Sequence, residues 1–370
     1  MLYCNNTLKI LNLLKKYNIN IDNCSNITSN KFFMKLYDNF NNIIKEISLN
    51  NIKIELYNNS EIDNLKNNKF TSQNILNNII ETLKYSYIII FENNSIVYYS
   101  KKSIKNNKIP KIIKHMFIII KVLKILFNRN NHHQKVVYFE TYNKKLFPLN
   151  NSILSPNEVN SGLTNLDFHK NGTIILFRKE ELLKVLIHEL IHSNLIDEKI
   201  IFSDKIKGFS SKFCVKYNIL LNEAFTETFA LILNMFYINI IANNTKLNLN
   251  IMFENELKYS DYICSKIMHY YNIKNIEDII KKNNICNKDF PQKTNVFSYY
   301  ILKNILLHQH IKFSNIIKKY TIYYKINDES SITKIIELIN KNINKFNNRL
   351  IDVSNDKNKS LRLCLYELKI

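Results

Sequence analysis

The sequence predicts an α+β fold, with a small antiparallel or mixed sheet packed on one apolar helix and a mainly helical C-terminal half. Three observations carry that prediction. Short β-branched and aromatic runs, bounded by polar turns, fall between residues 85 and 177. Apolar residues at helical spacing dominate from about 215 onward. Between the two regions, Leu183, Val185, Leu186, Ile187, Leu190 and Ile191 give residues 180–195 the spacing of a strongly apolar helix.

The first 75 residues alternate helical stretches, Leu8–Tyr17 and Lys31–Ile47, with Asn-rich punctuation, and form an α-rich N-terminal portion without an interpretable motif. A second portion, 76–200, holds the sheet. Tyr85–Phe91 and Ile96–Tyr99 flank Glu92-Asn93-Asn94-Ser95, a hairpin pattern. Pro110 suits the first turn of a helix running to Phe127. A strand is expected at Val136–Thr141, a polar loop from Val159 through Thr164 to Gly172, and a further strand at Thr173–Phe177. The third portion, 201–370, reads as helices at 219–237, 254–271, 276–282, 294–310 and 331–343. Asn355–Lys359 then reads as a solvated loop before a short final strand or helix.

Composition bounds the function. Apolar residues make up 46% of 370, enough for a packed interior throughout. The net charge of +21 raises the question of nucleic acid, but of 52 Lys and Arg only Arg129, Arg178, Arg349 and Arg362 are Arg. Specific phosphate and base recognition favours the rigid Arg fork. The abundance of Asn, Ile, Lys, Tyr and Phe points instead to AT-rich coding, so no specific nucleic-acid partner is expected. Three glycines in all exclude a glycine-rich phosphate loop. The longest apolar run, Met116–Phe127, is interrupted by Lys121 and Lys124 and falls short of the roughly 20 residues a membrane span requires, so none is expected. The six cysteines, Cys4, Cys24, Cys214, Cys264, Cys286 and Cys364, include no CxxC pair, and Asn5, Asn6 and Lys9 break any signal-peptide core. Six free thiols in a reducing, cytoplasmic compartment are therefore expected.

The chemistry concentrates in His188-Glu189-Leu190-Ile191-His192. On a helix His188 and His192 are i and i+4, one turn apart on one face, so both imidazoles can reach one ion. Glu189 stands beside them, placed to take a proton from water on that ion. The pattern is expected by chance roughly 0.02 times in this composition. A catalytic zinc also needs a third protein ligand and an open position. The stretch Ile219–Leu233 is apolar almost all round, yet carries Glu223 and Glu227 one turn apart. Two bare buried carboxylates would cost several kcal/mol without compensation. Zinc and its imidazoles supply it if Glu223 ligates the metal and Glu227 accepts the outer N–H of a ligand imidazole. A salt bridge to a Lys is the competing explanation for Glu227.

HELIH followed by Leu221-Asn222-Glu223-Ala224-Phe225-Thr226-Glu227 resembles the gluzincin group of zinc metallopeptidases. The resemblance covers about residues 155–235. It implies a zincin-like fold, His188, His192 and Glu223 as zinc ligands, Glu189 as general base and Glu227 as the acid behind a ligand. It also implies a peptide or protein substrate, with Asn160-Ser161-Gly162 near the substrate-binding edge strand. Together with Arg178-Lys179-Glu180-Glu181, the pattern is similar to uncharacterised zincin-like proteins of large DNA viruses, which would place the chain in host cytoplasm or virion. The gap from His192 to Glu223 is longer than the usual linker of the group, with an insertion around 201–216 that includes Gly208. A metzincin arrangement would instead recruit Glu198 or Asp197, but Leu195 stands where that group needs a glycine for the turn.

An oxyanion donor is sought in Phe297-Ser298-Tyr299-Tyr300, with His308 and His310 beyond it, although Tyr is common here. His115, His132, His133, His169 and His269 read as surface or internally satisfied histidines. The expected activity is metal-assisted peptide hydrolysis. The alternative is a catalytically inactive zinc-binding structural or interaction protein, for example of a virus particle.

Overall fold

The structure, a computed structural model, describes residues 3–17, 19, 26–66, 68, 70–150, 152–165, 172–243, 245–283, 285–326 and 328–369. His169 and Cys24 lie outside them. The chain is α+β. Helices of ten or more residues are α1 Asn5–Leu14, α2 Lys31–Glu46, α3 Gln73–Thr82, α4 Lys111–Leu126, α5 Leu182–Ser193, α6 Leu221–Ile241, α7 Lys246–Tyr270, α8 His310–Tyr320 and α9 Glu329–Asn342. Six strands, β1 Lys53–Leu56, β2 Tyr85–Phe91, β3 Asn94–Ser100, β4 Gln134–Phe139, β5 Gly162–Asn165 and β6 Thr173–Leu176, form one mixed sheet in the order β1-β2-β3-β4-β6-β5.

The hairpin closes through a two-residue turn, Phe91 opposite Asn94 with Glu92 at φ 52°, so β3 begins earlier than expected. Beyond it β3, β4 and β6 run parallel, with α4 as the crossover from β3 to β4. Side-chain alternation sorts the sheet into two faces. Ile96, Tyr98, Val136, Tyr138, Ile174 and Leu176 join the large core shared with α4, α5 and α6. Val97, Tyr99, Val137, Phe139, Ile175 and Leu163 face α3 through Ile75, Leu76 and Ile79. From the N-terminal portion, Ile10, Leu14, Phe33, Leu36 and Phe40 lie in the same large core, and β1 adds an edge strand.

Several expectations need correction. Gly162–Asn165, read as loop, is the edge strand β5, antiparallel to β6; four residues with Gly and Asn at the ends give too little alternation to register as a strand. Residues 276–282 form only a 3-10 turn at Ile276–Ile279. The stretch 294–310 begins as a π-helix, Phe297–Leu302, before a short α-helix. Cys214 and Cys286, expected as free thiols, are joined in a disulfide with Cα atoms 6.2 Å apart. Their segments pair, Phe213 opposite Ile280 and Val215 opposite Phe290, a proximity that a separation of 72 residues hides. Among the described residues Cys4, Cys264 and Cys364 are free. Among the same residues α6, rather than 116–127, is long and apolar enough to cross a membrane. Its most apolar window is 89% buried inside the protein, and α6 also carries Glu223 and Glu227.

The C-terminal segment, residues 361–368, forms no final strand or helix of its own. It runs through the interior without regular secondary structure, and side chains from elsewhere satisfy much of its backbone. Glu181 accepts from the amides of Leu363 and Cys364, and Glu256 from those of Leu365 and Tyr366. Lys303, Tyr300 and Tyr259 donate to the carbonyls of Leu363, Leu361 and Arg362. Burial pushes the Glu256 carboxyl up to about 7, although the Leu365 and Tyr366 amides pull it back. A carboxyl raised in the folded state stabilises fully below its unfolded value of 4.5, and that stability is lost as pH climbs to about 7. Glu256→Gln is therefore expected to gain on wild type by up to about 3 kcal/mol between those limits and by no more above them. Urea melts at pH 5, 6, 7 and 8 check this; a pH-independent difference would refute it.

Candidate metal centre

Helix α5 starts abruptly. Glu181 precedes it in the left-handed region at φ 60°, its carboxylate held by Lys145 at 2.9 Å and by the two C-terminal amides. Arg178, just upstream and 1% exposed, donates to the carbonyls of Asn160, Asn157 and Lys144. It thus ties the segment before β5 to the entry of α5. Gly162 completes this closeness: a Cβ there would stand 2.8 Å from Leu176 Cδ2 and 3.0 Å from Val185 Cγ1. Only glycine lets β5 lie this near the helix.

Along α5, Lys184, His188 and His192 form one stripe at i, i+4 and i+8. Helix α6 packs against it and contributes Glu223 and Glu227. His188 Nε2 and His192 Nε2 are 3.0 Å apart, and Glu223 Oε2 lies 3.2 Å from the first and 3.4 Å from the second. These edges match one face of a tetrahedron around zinc, whose ligands at 2.0–2.1 Å stand about 3.3 Å from each other. The outer nitrogens are spoken for: His188 Nδ1 donates to Glu227 Oε2 at 2.9 Å, and His192 Nδ1 to Asp197 Oδ2 at 2.8 Å. With Nδ1 donating outward on both rings, each Nε2 faces Glu223 Oε2, where a bound cation would take the lone pairs in place of protons. Glu223 Oε2, buried, accepts no well-aimed hydrogen bond. The three atoms converge on one point, and the N,N,O donor set suits a divalent first-row ion such as zinc.

The electrostatics agree. Burial works against charge on both imidazoles, yet the carboxylates around them raise His188 above its ordinary value and His192 well above it. Burial likewise opposes ionisation of Glu223, but His192 and His188 hold it below the carboxylate range. The site is built to hold positive charge. Glu227 satisfies both explanations given for it at once: one oxygen backs His188, and the other pairs with Lys184, which is 2% exposed.

Glu189 lies on the neighbouring face, and its Oε2 accepts from Thr164 Oγ1 of β5 at 2.7 Å. Burial raises its carboxyl, partly offset by His188 and His192. A cavity of about 30 Å³ opens beside His188 and Glu189, walled by Gly162, Val185, Tyr299 and Leu363. The Tyr299 ring is 6.0 Å from that of His188, at the π-helical turn, a kind of distortion common at functional sites. Burial, then Glu223, raises its phenol well above the usual value, so it stays a proton donor.

The other candidates go elsewhere. Glu198 pairs with Lys325 at 2.9 Å, and Asp197 stands behind His192 with Asn222 and Thr226, so neither joins the His188–His192–Glu223 cluster. Tyr300 donates to Leu361, His308 meets Asp261, His115 meets Tyr237, and His310 packs against Phe33 and Phe253. Lys184, Thr164 and the outer role of Asp197 were missed from sequence. The i−4 position of Lys184 was a usable signal; nothing local marked Thr164.

Over 154 residues the chain is 27% identical to an uncharacterised protein of Acanthamoeba polyphaga mimivirus, a match covering 40% of this chain and 38% of that protein. The chain thus spans well under half of that relative's length. It matches no known family and no solved structure.

Proposed function

We propose that the protein is a zinc-dependent metallopeptidase with a zincin-like core and a gluzincin ligand set, His188, His192 and Glu223. The observation that carries this reading is the buried convergence of His188 Nε2, His192 Nε2 and Glu223 Oε2 with the Glu189 carboxylate beside it. Bound zinc supplies a Lewis acid that polarises a peptide carbonyl and acidifies water. Glu227 and Asp197 fix the ring orientations of the two histidines. Glu189, held by Thr164, takes the proton from the attacking water and passes it to the leaving amine. Tyr299 offers its hydroxyl to the developing oxyanion. An extended substrate adds to the edge strand β5, which carries Thr164 and thereby sets the peptide beside the base. The viral origin of the partial relative accords with a virus-encoded enzyme.

The second reading, a catalytically silent zinc-stabilised protein, draws on the closure of the site: His188, Glu189 and His192 are each below 10% exposed. Metal analysis tests what the two readings share. Purified wild type is expected to hold one zinc per chain, and His188→Ala and Glu223→Ala to lose it. A metal-free wild type after zinc reconstitution would overturn both. Zinc retained undiminished in Glu223→Ala would remove the gluzincin assignment.

A further inference from the structure

We propose that the Cys214–Cys286 disulfide is a redox-sensitive clasp that keeps the metal centre assembled, an inference resting on the metal-binding reading above. The bond lies where two connecting segments meet. Residues 212–216 precede α6, and residues 285–296 lead to the helix of Tyr299. Between them, Cys214 N donates to Ile279 O at 2.9 Å, Phe290 N to Cys214 O at 2.7 Å and Lys216 N to Phe290 O at 3.0 Å. The contact continues toward the site. Gln292 caps the amide of Phe297 at 2.8 Å and reaches Asn218 O at 3.4 Å, and Leu220 N donates to Ser298 Oγ at 3.2 Å. Thr294 Oγ1 donates to Asn160 Oδ1 at 3.0 Å, just ahead of β5. The segment 290–298 therefore touches the lead-in to Glu223, the turn bearing Tyr299 and the lead-in to the edge strand.

Beside the disulfide, four backbone hydrogen bonds among the described residues hold this junction, and Phe213 and Phe290 pack on Phe297 beneath it. Among the described residues its pairing with 212–216 comprises single bridges rather than a strand ladder. Lys212, Lys216, Tyr217, Ile285 and Asn287 around it are exposed, and both half-cystines are only partly buried. A soluble reductant can reach the bond. Glu223, by contrast, must reach the histidines from a separate helix across the long linker that follows His192. The two histidines share α5 and keep their spacing whatever the linker does. Opening the clasp therefore acts on the third ligand first. A dithiol reductant performs the step by giving two electrons and two protons to the sulfurs, leaving two cysteine thiols and its own disulfide.

The test measures zinc affinity by competition with a chromogenic chelator, using the full chain in oxidised form and after tris(2-carboxyethyl)phosphine. That phosphine and one water convert the disulfide to two thiols and a phosphine oxide, without thiols of its own to strip zinc. Cys214→Ser/Cys286→Ser serves as the permanently open form, and far-UV circular dichroism reports global folding. The expected result is zinc affinity weaker by tenfold or more in the reduced and the double-Ser proteins, with helical signal intact and affinity restored on reoxidation. Equal affinity within twofold in oxidised and open forms overturns the proposal while leaving the metal centre standing. Loss of helical signal together with zinc also overturns it, since the bond is then a general staple. Two extra free thiols in the oxidised protein overturn it as well. If the oxidised protein binds no zinc, the metallopeptidase reading fails and this proposal with it.

Discussion

Replacing Glu189 by Gln is expected to lower peptide hydrolysis by about 10²–10⁴-fold while leaving one zinc per chain in place. Gln keeps the shape and can still accept from Thr164, whose hydroxyl lies 2.7 Å from Glu189 Oε2. It cannot take a proton. The proposed metal ligands are on other residues, so binding and chemistry are expected to separate in this variant. Turnover of a quenched-fluorescent peptide mixture, read beside metal content, makes the comparison. Undiminished turnover in Glu189→Gln would sink the assigned role. Full zinc occupancy with no turnover by wild type over a broad peptide library would favour the silent zinc protein.

Lys184→Met is expected to destabilise the fold by about 3–5 kcal/mol, since it takes the ammonium from the buried Glu227 carboxylate and leaves His188 alone to hold it. Lys184 and Glu227 are both nearly inaccessible, and the ammonium contacts the carboxylate oxygen that His188 does not use. Burial pushes the Glu227 carboxyl up, but Lys184 and then His188 pull it well below the usual range. Adding Glu227→Gln removes the stranded charge, so the double variant is expected to recover more than half of the loss. Urea unfolding of the two single variants and the double one measures the coupling. A cost under 1 kcal/mol for Lys184→Met, or strict additivity, would show that the pair contributes little.

Much of the centre was legible in the chain because helical periodicity is local. An i, i+4 pair on a regular helix has one geometry, so His188 and His192 were assigned to one ion without a fold. Glu223 and Glu227 stood out for an energetic reason: carboxylates one turn apart in an all-apolar helix need a cation nearby. The hairpin, the helix after Pro110 and the helical C-terminal half followed from runs long enough to show their period.

What the sequence determined by itself is the set of groups whose partners lie within a turn or two, and the requirement that the buried carboxylates of α6 be neutralised. Only the tertiary structure decided which cations neutralise them. It assigned Lys184 to Glu227 and Asp197 to His192, seated Thr164 on Glu189, made 162–165 a sheet edge, joined Cys214 to Cys286 and ran the C-terminal segment through the interior on side-chain hydrogen bonds. Each of these joins residues far apart in the chain, or turns on which side of a helix packs. Local spacing carries no record of such contacts, because they form only when burial of the whole core brings distant segments to one place.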